Sequence, residues 1–197
     1  MPRKESVEVF KFDELSKKAK TTAINDYRND LWEDDLLSEG ITEVVRDILM
    51  TYLPWAPSDD IRWRLSHSQG DGVAFYGPVD IKMFAEKNPS FRIFMDESKI
   101  LEIKINIEKS GLLHLYDNEN TMIPELVELN LHYTADKEEI NKKIAKALEE
   151  IISQTQDMSL SLKKEAYKLI DFYSSEENIA DILRENDYEF TEDGKIW

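Results

Sequence analysis

The residues best suited to chemistry in this chain are its three histidines, His67, His114 and His132, together with the polar run that follows His67. That run, Ser68, Gln69 and Asp71, lies within SHSQGDGVAFYG (66–77). Imidazoles joined by Asp71 or Asp117 have the donor types of a zinc site. His67 and Asp71 with a serine have those of a hydrolase, and His67, Ser68, Gln69 and Asp71 together have those of a loop that captures or cleaves a nucleotide signal. The spacing argues for something plainer. No two histidines stand four apart, and Gly-x-Ser-x-Gly, Gly-Lys-Ser and Gly-x-Gly-x-x-Gly are all absent. A phosphate-cradling loop opens a helix, whereas VAFY after Gly72 reads as strand. Gly70-Asp71-Gly72 is therefore expected at a hairpin turn with positive φ. No residue set defines a reaction, and the expectation is a protein with no catalytic residues, metal or cofactor.

A second pattern is electrostatic. The chain has 41 acidic and 25 basic residues, a net charge of −16. Segment 30–60 holds Asp30, Glu33, Asp34, Asp35, Glu39, Glu43, Asp47, Asp59 and Asp60 against Arg46 alone. Segment 171–194 holds Asp171, Glu176, Glu177, Asp181, Glu185, Asp187, Glu189, Glu192 and Asp193 against Arg184 alone. These two segments account for the whole excess. A charge run is ordinarily a solvated face, but mixed signs serve solubility better than two single-sign fields. We expect Asp30, Glu33, Asp34, Asp35, Glu39, Asp59, Asp60, Glu176, Glu177 and Asp181 to form an acidic partner-binding surface, with Trp32, Tyr52 and Trp55 nearby either as anchors or as core residues. Such a field repels a phosphate backbone, which argues against direct nucleic-acid binding and for a basic partner that itself binds nucleic acid.

The elements that must position these residues follow from periodicity. VEVFKF (7–12) alternates as a short strand and leads into a helix capped at Asp13 or Ser16. Leu37, Ile41, Val44, Val45, Ile48, Leu49 and Tyr52 give a second helix over about 33–53, weakened by Gly40 and ended by PWAPSDD. The centre is β: Ile61, Trp63 and Leu65 alternate, as do Leu101, Ile103, Ile105 and Ile107, and then Val127, Leu129, Leu131 and Tyr133. FRIFMD and GLLHLY are read as further strands, and DIKMFAEK as a short helix. From Lys137 the period returns to 3.6, giving one helix through Ile140, Ile144, Ala147, Leu148, Ile151 and Ile152, a second at SLKKEAYKLIDFY and a third capped by Ser175. Asp-Gly between YEF and KIW closes the chain with a tight hairpin.

The expectation is a single α+β domain over 1–197. It comprises a helical part (1–60), a β-rich centre (61–134) and a helical part ending in a hairpin (135–197), with an antiparallel sheet of about five strands and helices on one face. Ile103, Ile105, Val127, Leu129, Ile144, Leu148 and Ile151 should share its core. The chain has no cysteine, which excludes disulfides and thiolate sites. No run of apolar residues is long enough to span a bilayer, and MPRKESVEVF lacks the apolar stretch of a secretory signal. A cytoplasmic location is therefore expected.

Three stretches in order, FKFDELSKKAKTTAINDYR, SHSQGDGVAFYG and YEFTEDGKIW, resemble a widespread group of small phage- and prophage-encoded proteins, some labelled antitoxin-like. HLYDNENTM resembles a divergent form of a His-containing segment in that group. The resemblance covers about a quarter of the chain and carries no catalytic residues with it. It implies an α+β fold in a mobile-element context. Joined to the charge, it suggests an anti-defence inhibitor of DNA-mimic or anti-CRISPR type, with an antitoxin that neutralises a basic toxin as one alternative and the nucleotide-signal loop as another.

Overall fold

The computed structural model describes residues 8–31, 35–111 and 116–197, with the backbone alone at Asp35 and Leu36. Trp32, Glu33, Asp34 and His114 therefore lie outside the described residues, as does most of GLLHLY. The chain divides into two compact units. The first joins the described part of 1–41 to 168–197, and the second is 42–167. Both boundaries fall inside helices, so no linker marks them.

In the first unit, Phe10–Lys11 (β1) pairs antiparallel with Glu189–Phe190 (β6), bringing the two ends of the sequence together. Ser16 caps Lys17–Asp30 (α1) by accepting a bond from the Ala19 amide at 3.2 Å, and Ser175 caps Glu176–Glu185 (α5) in the same way through Asn178. Phe12, Ala19, Ala23, Ile179, Leu183 and Phe190 close the core between them. The Asp-Gly hairpin forms as expected. Thr191 and Gly194 bond to each other across the turn, Phe190 bridges to Ile196, and Gly194 has φ +92°. A Cβ at Gly194 would collide with the Ala19 carbonyl, so glycine is required there on two counts.

The second unit is built on one antiparallel sheet in the order β2-β3-β4-β5: Asp60–Arg64, Gly72–Pro78, Ile100–Lys109 and Met122–Leu131. The sheets are thus four strands and two, where about five in one sheet were expected. FRIFMD is the difference. Pro89–Met95 is a 3-10 turn in which Phe91 and Phe94, three apart, both face inward and continue a stack from Phe84. Two bulges upset the expected alternation of β4 and β5. Leu101 and Val127 are each the extra residue at a register shift, and they are 61% and 57% exposed. Val127 therefore leaves the predicted core. Ile105, Ile144 and Ile151 are buried in it, while Ile103, Leu129 and Leu148 are only half-buried.

Asp35–Tyr52 (α2) follows its apolar period, burying Ile41, Val45 and Leu49. Ile81–Lys87 (α3) is capped by Asp80. The two helices expected after Lys137 are one, Lys137–Tyr173 (α4). No proline or glycine interrupts SQTQDMSLS, and its polar side chains are satisfied without breaking the helix: Thr155 bonds back to the Ile152 carbonyl, Ser161 to Asp157, and buried Ser159 to the Val73 carbonyl of β3.

Candidate functional site

SHSQGDG does join two antiparallel strands, since Arg64 of β2 lies opposite Gly72 of β3. Its construction differs from the expected turn. Positive φ falls on His67 (55°) and Gly70 (94°), not on Asp71 or Gly72. Gly72 is glycine for a different reason: a Cβ there would meet the Asn118 side chain and come within 2.6 Å of its Cα. Asn118 also donates to the Gly70 carbonyl at 3.2 Å, and the Tyr116 ring fills the space a Gly70 Cβ would take. The loop 65–71 therefore packs on 116–121, the segment that contains most of HLYDNENTM.

Asp71 is the anchor of this arrangement. Its buried carboxylate accepts bonds from the Ser66 amide (2.7 Å) and hydroxyl (3.1 Å), the Ser68 amide and hydroxyl (both 2.9 Å), and the Tyr167 hydroxyl of α4. Lys163, one turn earlier on α4, reaches the Asp71 carbonyl at 2.7 Å. Burial pushes the Asp71 carboxyl up, but the bonds from Tyr167, Ser68 and Ser66 outweigh it and hold the group well below the usual carboxylate range. A carboxylate with five donors has no lone pair left for a metal or a substrate proton. The His67 ring stacks on Tyr167 at 4.5 Å, and the His67 amide donates to the Tyr167 oxygen at 3.1 Å. Neither Tyr167 nor Lys163 was visible as a partner in the sequence, lying more than ninety residues away.

A second buried polar group lies beside this loop. Tyr76 donates to Asp117 at 3.0 Å and bonds Thr121 at 2.9 Å, Lys109 pairs with Asp117 at 2.8 Å, and Arg62 lies over the Tyr76 ring. Burial pushes the Tyr76 phenol up to about 12, so it stays a neutral donor. His132 follows β5 at the opposite end of the ten-residue β4–β5 hairpin from loop 65–71, a distance of about 30 Å that rules out a metal shared with His67. Among the described residues, no cluster of three His, Cys, Asp or Glu side chains is placed to hold a metal ion.

The acidic candidates fall into two groups. Glu176 and Glu177 occupy the first turn of α5, where carboxylates favour the helix dipole. Asp181 pairs with Arg184 at 2.7 Å, and Asp60 with Arg62 at 2.7 Å. These four have work in the fold. Asp30, Glu39 and Asp59 are exposed, and among the described residues none forms an ion pair. Glu43 and Asp47, which sequence reasoning counted but did not place in the surface, behave likewise. Glu39, Glu43 and Asp47 recur every four residues, so they form one stripe on the outer side of α2 with a rise of about 6 Å between successive carboxylates. Met50 lies within the same stripe and is 53% exposed. Arg46, the only base of the segment, flanks it and donates to the Ser58 carbonyl at 3.1 Å, holding the loop that bears Asp59 against the helix. Trp55 is buried and meets Phe84 edge-to-face, so it takes the core role, whereas Tyr52 is exposed.

No family model, curated protein or solved structure matches this chain. Among the described residues, no helix is long and apolar enough to cross a membrane.

Proposed function

We propose that this chain is a non-enzymatic interaction protein that covers a basic, nucleic-acid-binding surface of a partner with the outer face of α2. The stripe of Glu39, Glu43 and Asp47 carries this reading: regularly spaced carboxylates without counter-ions among the described residues, followed by the exposed thioether of Met50. The carboxylates stand in for backbone phosphates and speed encounter with a cationic groove. Met50, one turn past Asp47 at the end of the stripe, supplies adaptable apolar contact there. In a phage or prophage setting the partner is a host defence or nucleic-acid-binding protein, and the activity is inhibition by occupancy. A basic toxin bound by the same face is the antitoxin form of this reading.

The test is a pull-down with the tagged chain from its natural host, comparing wild type with the double reversal Glu43→Lys and Asp47→Lys. A basic protein should be enriched by the wild type alone, its complex should weaken as salt rises, and nucleic acid should compete with it. A partner retained equally by both forms, or binding insensitive to salt, overturns the reading.

A further inference from the structure

A groove of about 630 Å³ lies between the first half of β4 and the segment formed by α3 and the 3-10 turn. Every residue from Ile100 to Asn106 lines it. Side chains on a strand alternate between faces, so a groove touching seven consecutive residues runs along the strand's edge. The edge is open because β3 turns away early. β3 pairs with β4 only at Gly77 and Pro78, and the final bond between them is from the Val79 amide to the Ile105 carbonyl at 2.9 Å. Beyond it the chain enters α3. Peptide groups of alternate residues point to the same edge. The N–H and C=O of Ile103 therefore follow those of Ile105 toward the groove, with no strand among the described residues to receive them.

The walls and rim indicate what belongs there. Val79, Ile81 and Phe94 form a buried apolar floor, and Met95 and Leu101 stand exposed beside it. Lys104 is held at 2.7 Å by Glu102 and by Glu128 of β5, which lies outside the lining, so within the groove Glu102 and Lys104 offset each other. Asp80 and Glu97 add negative charge, and Lys82 alone opposes them. An unpaired strand edge is a template for another backbone, and an anionic rim selects cations.

We propose that this groove receives an extended segment of a partner polypeptide, apolar on alternate residues and basic between them, added as a strand to the Ile103 edge of β4. Backbone bonds to Ile103 fix its register, its apolar side chains cover Val79, Phe94 and Leu101, and its basic ones face Glu97, the exposed rim acid without an ion pair among the described residues. The inference stands apart from the α2 face and does not require it.

The probe is the capped peptide (Val-Lys)4, titrated into the isotopically labelled full chain. A saturable shift of the Ile103 amide is expected, with slowed exchange of its N–H. Glu97→Lys should weaken binding about fivefold, since it reverses an exposed rim charge, while Asp157→Lys, an exposed reversal on α4, leaves it unchanged. A (Val-Glu)4 peptide should bind at least about tenfold more weakly, and N-methylation of alternate peptide amides should abolish the protection at Ile103. Absence of a saturable shift at Ile103 overturns the proposal. So does equal weakening by Glu97→Lys and Asp157→Lys, which marks diffuse attraction to an acidic chain, or undiminished binding of the N-methylated peptide. The double reversal Glu43→Lys and Asp47→Lys should leave this titration unchanged, so failure here and failure of the α2 reading are separable.

Discussion

Helices α2 and α5 lie in segments of equal acidic excess, each with a single arginine, and the two arginines differ in what they hold. Arg184 of α5 pairs with Asp13 at 3.0 Å and with Asp181 at 2.7 Å, and its guanidinium lies over the Phe12 ring. Lys11 adds pairs to Asp187 and Glu189, and Glu176 and Glu177 sit at a helix N-terminus. The C-terminal acids are thus largely taken up by the fold of their own unit. Arg46 of α2 bonds a backbone carbonyl, and Glu39, Glu43 and Asp47 are left to solvent. Equal charge counts therefore describe two different surfaces. What separates them is the company each carboxylate keeps, because a charge already paired or set against a helix dipole has less to gain from a partner.

The sharpest way to test this distinction is at the acid most fully taken up by the fold. Asp71→Asn should lower stability by about 3 kcal/mol at neutral pH, because it removes a charge from several donors. The Asp71 carboxyl is depressed in the folded state. Its contribution is therefore complete above the ordinary carboxylate range and is lost as pH falls below about 4 toward the lower folded value. Acid unfolding followed by circular dichroism should show a shallower loss below about pH 4 in the variant. An unchanged acid limb would mean that Asp71 is not the anchor described.

Reversing Glu43 and Asp47 together should weaken the partner complex by tenfold or more, about 1.4 kcal/mol, with the melting temperature unchanged. The matching reversal on α5, Glu176→Lys with Glu177→Lys, should do the opposite. It should cost stability of about 1 kcal/mol by opposing the helix dipole and leave partner binding intact. If both pairs weaken binding alike, the two segments act as one acidic surface and the contrast drawn above fails. The smallest effect is expected at Gly40. Among the described residues a Cβ there meets nothing within 4 Å, and its φ is not in the positive range. Gly40→Ala should raise stability by up to about 1 kcal/mol in thermal unfolding without altering binding, since it stiffens α2 and leaves the stripe where it is.

Much of the local structure was legible in the sequence. Ser16 and Ser175 announced their helices because an N-cap acts within three residues, and Asp193-Gly194 announced its hairpin because positive φ is a property of one residue. The stripe on α2 was also written in the four-residue spacing of Glu39, Glu43 and Asp47, although grouping acids by count hid it. The readings that failed depended on competition between local preference and packing. Phe91 and Phe94 suit a strand as well as a 3-10 turn, and the stack on Phe84 selected the turn. Val127 suits a core strand, and a bulge turned it outward.

Charge, the absence of cysteine, helix periods and caps were determined by the sequence alone, since each depends on residue type or on neighbours within a few positions. The tertiary structure decided which of these features are taken up by the fold itself. It joined SHSQGDG to HLYDNENTM and to Tyr167, and FKFDELSKKAK to YEFTEDGKIW, turning the most motif-like stretches into two structural joints. Among the described residues, it left the edge of β4 without a partner strand at Ile103 and Glu39, Glu43 and Asp47 without an ion pair. Hydrogen bonds, ion pairs and strand edges are satisfied by whatever residue the fold brings within about 3 Å, and that distance is set by the whole chain, not by the spacing along it.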